Sequence, residues 1–352
     1  MSFYRLTART AALILVAWLM VALVLHLKAE RAMQKSTRHS TTTSSSIAHK
    51  LSIIDTPLGA VDFNSSASFA QSMTGAKAGN SKRQTAVVVA KSKFDNATWL
   101  EEYFPQWEKH IYSVDDWTAD LTVPVNKGRE SMVYLSYIID KYDNLPDNVL
   151  FIHPNRYQWH NDDADYDGVS MLRRFQISYL EQEGYVNIRC AWALGCPHEI
   201  KPLEEEGEHR EQVHAGGDYK QAFEVLFPGR GVPTHVGVSC CSQFAATKEK
   251  IRERGKSDYV GYKRWLLETD LADSISGRVM EYSWHIIFGK GPIHCPPPNV
   301  CYCKVFGLCE LECDEQGSCP GQYVLPPYST LPEGWPYRGW FHEYRERAAP
   351  ED

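Results

Sequence analysis

"NKGRESMVYLSYIIDKYDNLPDNVLFIHP", Asn126 to Pro154, is the stretch that decides the fold. Gly128 marks a bend, and from Met132 to Ile139 the apolar residues recur at helical spacing. Leu145-Pro146-Asp147 then breaks the helix, and "NVLFIH" follows as an apolar run of the kind a strand buried on both faces requires. Upstream, "TAVVVAKS" from Thr85 is a second such run. "DNATWLEEYFPQW" predicts a helix capped by Asp95 or Asn96, with Trp99, Leu100 and Tyr103 on one face. "KHIYSVDD" from Lys109 predicts a strand that ends in acids. Strand, helix, strand, helix, strand is the pattern of an α/β fold, and a mixed, mostly parallel sheet flanked by helices is expected.

Downstream, "GVSMLRRFQISYLEQE" from Gly168 is again helical and "GYVNIRCAW" from Gly184 reads as a strand. A charged loop, "GCPHEIKPLEEEGEHREQVHAGGD" from Gly195, follows with little periodicity. The second half runs through "KQAFEVLFP", "GVSCCSQFAATKEKIRER", "YVGYKRWLLETDL" and "SGRVMEYSWHIIFG" with no internal repeat. Of the 352 residues, 43% are hydrophobic and 23% charged, the balance of a globular protein. A net charge of -7 argues against nucleic acid as a partner, because such proteins present a basic face.

The N-terminus sets the compartment. "AALILVAWLMVALVLHL", residues 11–27, carries no Asp, Glu, Lys or Arg and has about the minimum length for a helix to cross a bilayer. Charges follow the run directly, which favours an uncleaved signal-anchor over a cleaved signal peptide. The flanking cations do not settle orientation, since Arg5 and Arg9 precede the run while Lys28, Arg31, Lys35 and Arg38 follow it. Sequons at Asn64 and Asn96 and the clustered cysteines favour a lumenal domain, giving a single-pass type II protein of the secretory pathway, in Golgi or ER. The expected plan is a tail at 1–10, the anchor at 11–27, a disordered Ser/Thr-rich stem at 28–84, an α/β domain at 85–290 and a Cys/Pro-rich extension at 291–352. Of ten cysteines, Cys295, Cys301, Cys303, Cys309, Cys313 and Cys319 crowd into that extension. Their spacing offers no C-x-x-C pair, so disulfides are expected rather than zinc, with no pairing assigned. Cys240 and Cys241 are adjacent, so at most one of them easily meets Cys190 or Cys196, and buried or disulfide-bonded cysteines are expected over a catalytic thiol.

Ligands of α/β proteins sit at the carboxyl ends of the parallel strands. Asp115 and Asp116 end one strand, and beyond another come His153, His160, Asp162, Asp163, Asp165 and Asp167. Asp163-Ala164-Asp165 has the D-x-D form that can hold a diphosphate through a divalent cation, Mn or Mg; the alternative is a solvated acidic loop. Asn126 and Arg129 stand at a helix start that attracts phosphate, or else belong to a structural turn with Gly128 in the bend and Arg129 paired to Glu130 or another acid. In "SGRVMEYSWHIIFG", Glu281 and His285 are i, i+4 neighbours. Both are expected to face a cleft, Glu281 as a base and His285 as a metal ligand or phosphate contact, with Arg278 beside them on the leaving diphosphate and Trp284 and Phe288 behind in the core. The alternative is a packed helix with Glu281 paired to Arg278.

Residues Thr85 to Gly289 resemble the fungal family called domain of unknown function 3431. The resemblance lies in "VVVAKS", the Asn126–Pro154 stretch, "NIRCAW", "GCP", "CCSQFAAT" with "IRER", and "SGRVMEYSWHIIFG". It implies a single-pass secretory protein. The order of strands and motifs is also similar to GT-A type glycosyltransferases, which implies sugar transfer from a nucleotide-sugar to a glycan or glycoprotein. The alternative function is a non-catalytic glycan-binding or scaffold protein, lumenal or at the cell surface.

Overall fold

The computed structural model describes residues 83–208, 214–313 and 317–346. The expected tail, the anchor at 11–27, nearly all of the stem and Asn64 lie outside the described residues. Among the described residues no helix is long and apolar enough to cross a membrane.

A five-stranded sheet forms the centre. β1 (Thr85–Lys91) lies between β2 (Glu108–Ser113) and β3 (Asn148–Ile152), and both pairings are parallel. β4 (Tyr185–Asn187) is an edge strand, and β5 (Gly237–Val238) belongs to a separate two-stranded sheet. β6 (Phe244–Thr247) runs antiparallel to both β3 and β4, so the order is β2-β1-β3-β6-β4. β7 (Ile293–His294) completes the small sheet beside β5.

Two of the four pairings in the main sheet are therefore antiparallel, and the expectation of a mostly parallel sheet is corrected to a mixed one. The physical reason is that "FAAT" is buried throughout, and a fully buried run reads the same in either direction. Its direction comes from its connections. Thr247 ends the strand and caps the helix that follows, its side chain accepting from the Lys250 N–H.

Helices cover both faces. On one side stand α1 (Trp99–Tyr103), α3 (Gly168–Arg174), α4 (Ile177–Glu183) and, from the extension, α10 (Pro298–Phe306). On the other stand α2 (Ser131–Lys141), α5 (Gly216–Leu226), α6 (Lys248–Arg252), α7 (Lys256–Glu268), α8 (Asp273–Glu281) and α9 (Trp284–Ile287). Alternate strand residues feed the two cores: Val88, Val149 and Phe151 enter one, while Val87, Val89, Leu150 and Ile152 enter the other. Each such side chain contributes about 1.5–3 kcal/mol when buried. β3 is buried on both faces, so its register, Thr85 opposite Asn148 on β1, is set by packing against the two cores rather than by an apolar–polar alternation.

Candidate active site

The chain leaves β1 toward Asp95 and leaves β3 into His153–His160, and between these ends opens a cavity of about 930 Å³. That volume suits a ligand larger than a monosaccharide. The loop after β1 is fixed to the loop after β3 through side chains. Asn155 donates to Asp95 at 2.7 Å and accepts from the Asn96 N–H at 2.8 Å. The Asn96 side chain itself caps the Thr98 N–H at 2.9 Å, so it sits at the helix start while remaining exposed.

Glu281, at the end of α8, lines the cavity with its side chain only 12% exposed. One carboxylate oxygen accepts the Cys241 N–H at 2.5 Å, and the other lies 3.4 Å from Arg278. Burial raises its pKa above the usual glutamate value, partly opposed by the Arg278 charge and the Cys241 N–H. For Arg278, burial works against the charge, but Glu281, Tyr282 and Glu199 outweigh it and hold the pKa above the ordinary arginine value. Arg129 lines the same cavity. The turn at Gly128 and Arg129 forms, with both residues in left-handed backbone, but among the described residues no carboxylate makes an ion pair with the Arg129 guanidinium, so the pairing expected with it does not.

Two histidines stack in the cavity lining, His153 on His160 at 4.3 Å, with Trp159 at 4.1 Å from His160. His153 Nε2 meets the Cys241 carbonyl at 2.7 Å, and because a carbonyl only accepts, Nε2 carries the proton. Cys241 thus joins the site through its peptide, its N–H on Glu281 and its C=O on His153. Burial first, then the charges of His153, Arg189, Arg129 and Arg278, drive the His160 pKa well below its ordinary value. The ring is neutral at physiological pH, and among the described residues its Nδ1 has no hydrogen-bond partner.

The acids after His160 are occupied elsewhere. Asp162 is buried and accepts from the Cys190 and Ala191 N–H groups and from the Tyr302 hydroxyl. Asp163 accepts from the Asp165 and Asp167 N–H groups within its own turn. Asp165 pairs with Arg345 at 2.6 Å, and Asp167 forms a two-pronged pair with Arg156 and caps α3. His285 is fully buried, its Nε2 on the Pro292 carbonyl at 3.0 Å and its pKa pushed down to about 3 by burial.

Among the described residues the one cluster able to hold a cation is Cys240, Cys241 and Glu281, and its two sulfurs are bonded to each other. Asp163, Asp165 and His285 do not come together, so the expected Mn or Mg site does not fit these residues. The i, i+4 expectation for Glu281 and His285 is corrected too. α8 ends at Glu281 and α9 starts afresh at Trp284, so one helical face does not continue from one residue to the other. Trp284 and Phe288 are in the core as expected, and His285 joins them there. Asn126 is exposed and outside the cavity lining, whereas Arg129 and Arg278 are both part of it.

The cysteines all pair: Cys190–Cys301, Cys196–Cys295, Cys240–Cys241, Cys303–Cys309 and Cys313–Cys319. The adjacent Cys240 and Cys241 bond to each other rather than to Cys190 or Cys196, a pairing the spacing argument did not consider.

The cavity also has a side that the sequence did not reveal. Residues 329–335 of the extension line it, including Leu331 and Trp335. The Trp335 indole donates to the Asp165 carbonyl at 2.8 Å, Arg345 lies 4.0 Å over its ring, and the Tyr166 hydroxyl donates to the Val324 carbonyl. The D-x-D acid thus clamps the extension onto the site. Tyr157, Gln158 and Trp159 were missed as lining residues as well; their position between two histidines just after a strand was the available signal.

No curated protein and no solved structure matches the chain. A family model described as "Protein of unknown function (DUF3431)" matches residues 87–304, a span that includes Arg129, His153, His160, Arg278 and Glu281 but stops short of the clamped segment. Since that match takes in well over half of the 352 residues, the chain belongs to this family.

Proposed function

We propose that the chain is a membrane-anchored, glycosyltransferase-like enzyme that moves a sugar from a nucleotide-sugar to a hydroxyl of a glycan or glycoprotein. The observation that carries this reading is a buried carboxyl of raised pKa, Glu281, set beside Arg278 and Arg129 in one large cavity at the carboxyl ends of β1 and β3. Glu281 takes the proton of the acceptor hydroxyl as its oxygen attacks the anomeric carbon. The bond from that carbon to the diphosphate oxygen breaks, and the electron pair leaves with the diphosphate toward the two guanidinium groups. A GT-A-like arrangement agrees with the parallel strands β1 and β3, whose carboxyl ends open on the site, although β6 reverses direction beside β3.

A panel of nucleotide-sugars should raise the melting temperature of the purified chain, and the stabilising sugar should release nucleoside diphosphate when acceptor is added. No shift with any donor, together with no release, would sink the enzyme reading. The second reading, a non-catalytic glycan binder, draws on exposed aromatics of the extension such as Tyr328, Phe341 and Tyr344. It is favoured if glycans bind where donors do not.

The same proposal places the domain in the lumen of the secretory pathway, because five disulfides call for an oxidising compartment and Asn96 of the sequon is exposed. In sealed microsomes the domain should resist added protease and Asn96 should carry a glycosidase-sensitive glycan. Digestion of the domain would place it on the other side of the membrane.

A further inference from the structure

α8 does more than carry Glu281. Asp273, Gly277 and Glu281 recur every four residues, so they share one face of the helix, with Arg278 beside them. The upper part of this face holds Arg129. The Asp273 carboxylate accepts the Arg129 N–H at 3.0 Å. Gly128 and Arg129 both adopt left-handed backbone, at φ +67° and +55°, and Arg129 has no glycine's freedom to do so without a partner. Gly277 clears the space for the arginine stem: a Cβ there would lie 2.9 Å from Arg129 Cγ and 3.1 Å from its Cδ. Those distances leave no room for the stem where it now lies. The lower part of the face offers Arg278 to the same cavity.

We propose that Arg129 and Arg278 form a diphosphate clamp that needs no divalent cation, and that Asp273 and Gly277 are its positioning residues. The inference rests on the glycosyl-transfer reading for its biological ligand, but the clamp is a binding site that can be tested without turnover. Three observations converge on an anion of this class. The Arg129 guanidinium lines the cavity with no carboxylate paired to it among the described residues. The D-x-D acids that would otherwise present a metal are used in a turn and in the pair with Arg345. Planar guanidinium groups match phosphate oxygens in pairs, which gives direction as well as charge. Asp273 holds the backbone of Arg129 and Glu281 pairs with Arg278, so each arginine is tied at one point before a ligand arrives, which lowers the freedom lost on binding.

The test is calorimetric titration of the full detergent-solubilised chain with inorganic pyrophosphate, and separately with uridine and guanosine diphosphates, all in excess EDTA. Pyrophosphate should bind, and Arg129→Gln and Arg278→Gln should each weaken it at least tenfold. Stronger binding of one nucleoside diphosphate than of pyrophosphate would mark that nucleotide as the source of the diphosphate. Gly277→Ala and Asp273→Ala should weaken binding severalfold, while Asp273→Asn, which keeps the accepting oxygen, should bind like the unaltered chain. In the Arg129→Gln background, Gly277→Ala should add nothing further, because its effect passes through Arg129. Absence of pyrophosphate binding in EDTA overturns the clamp, and so does full additivity of Gly277→Ala with Arg129→Gln. Binding without any sugar transfer would leave the clamp standing and remove the enzyme reading; transfer without metal-free binding would do the reverse.

Discussion

Glu281→Gln is expected to lower glycosyl transfer by about 10²–10⁴-fold, the usual contribution of a positioned general base, while the chain remains folded. Gln has nearly the volume of Glu and keeps an oxygen to accept the Cys241 N–H, so the peptide that also holds His153 stays in place. The lost groups are the base and the ion pair to Arg278. Stability has a definite sign here. Burial raises the Glu281 pKa, so its stabilising protonated form is complete at low pH, and that contribution is lost as pH rises through the raised value. The uncharged variant escapes this loss, and its melting temperature should fall less than that of the unaltered chain as pH rises from the ordinary glutamate value through the raised one, with no further divergence above it. Activity runs the opposite way: the base form appears as pH rises, so the acid limb of the rate profile should stand above the usual glutamate range and vanish in the variant. Normal transfer by the variant, or its unfolding, would show that Glu281 is only structural.

The place of Glu281 in a cavity lining was legible because an acid among buried residues needs a reason, whereas the burial of His285 was not, because nothing in "MEYSWHIIFG" marks where one helix stops and another starts. Val87–Val89 and Val149–Ile152 declared their strands by continuous apolar character, and the helix expected from Met132 to Ile139 lies inside Ser131–Lys141. The direction of β6 was hidden for the same reason that its burial was plain: all four of its residues are inside. The acids from Asp162 to Asp167 have the composition of a metal site. Asp162 and Asp165 find their partners, Tyr302, Arg345 and the backbone of residues 190–191, far away in sequence, while Asp163 and Asp167 are used by their own turn, by Arg156 and by the helix that Asp167 caps, so only the fold shows them consumed. The contribution of residues 329–335 was hidden in the same way, since a segment rich in Pro and Gly gives no period that would locate it against a distant loop.

Replacing both Cys190 and Cys301 by Ala is expected to cost about 4–5 kcal/mol of stability, because the bond closes a loop of sequence separation 111 and a cross-link of that span restricts the unfolded chain most strongly. Replacing Cys303 and Cys309 together should cost about 2 kcal/mol, since that bond spans a separation of only 6. Structure on the folded side points the same way. Cys301 lies on α10, whose Tyr302, Val305 and Phe306 are buried in the core on one face of the sheet. The Tyr302 hydroxyl donates to Asp162 at 2.7 Å, and the other oxygen of Asp162 accepts from Cys190 and Ala191. Next to Cys190, the buried Arg189 donates to the His160 carbonyl at 3.0 Å and lies 3.9 Å over Tyr323. The disulfide, the buried acid and the cavity loop are therefore one mechanical unit. Loss of the Cys190–Cys301 bond should lower the denaturant midpoint and also weaken diphosphate binding, while loss of Cys303–Cys309 should leave binding unchanged. Equal losses of stability in the two variants, or intact binding after loss of the longer bond, would show that α10 does not brace the site.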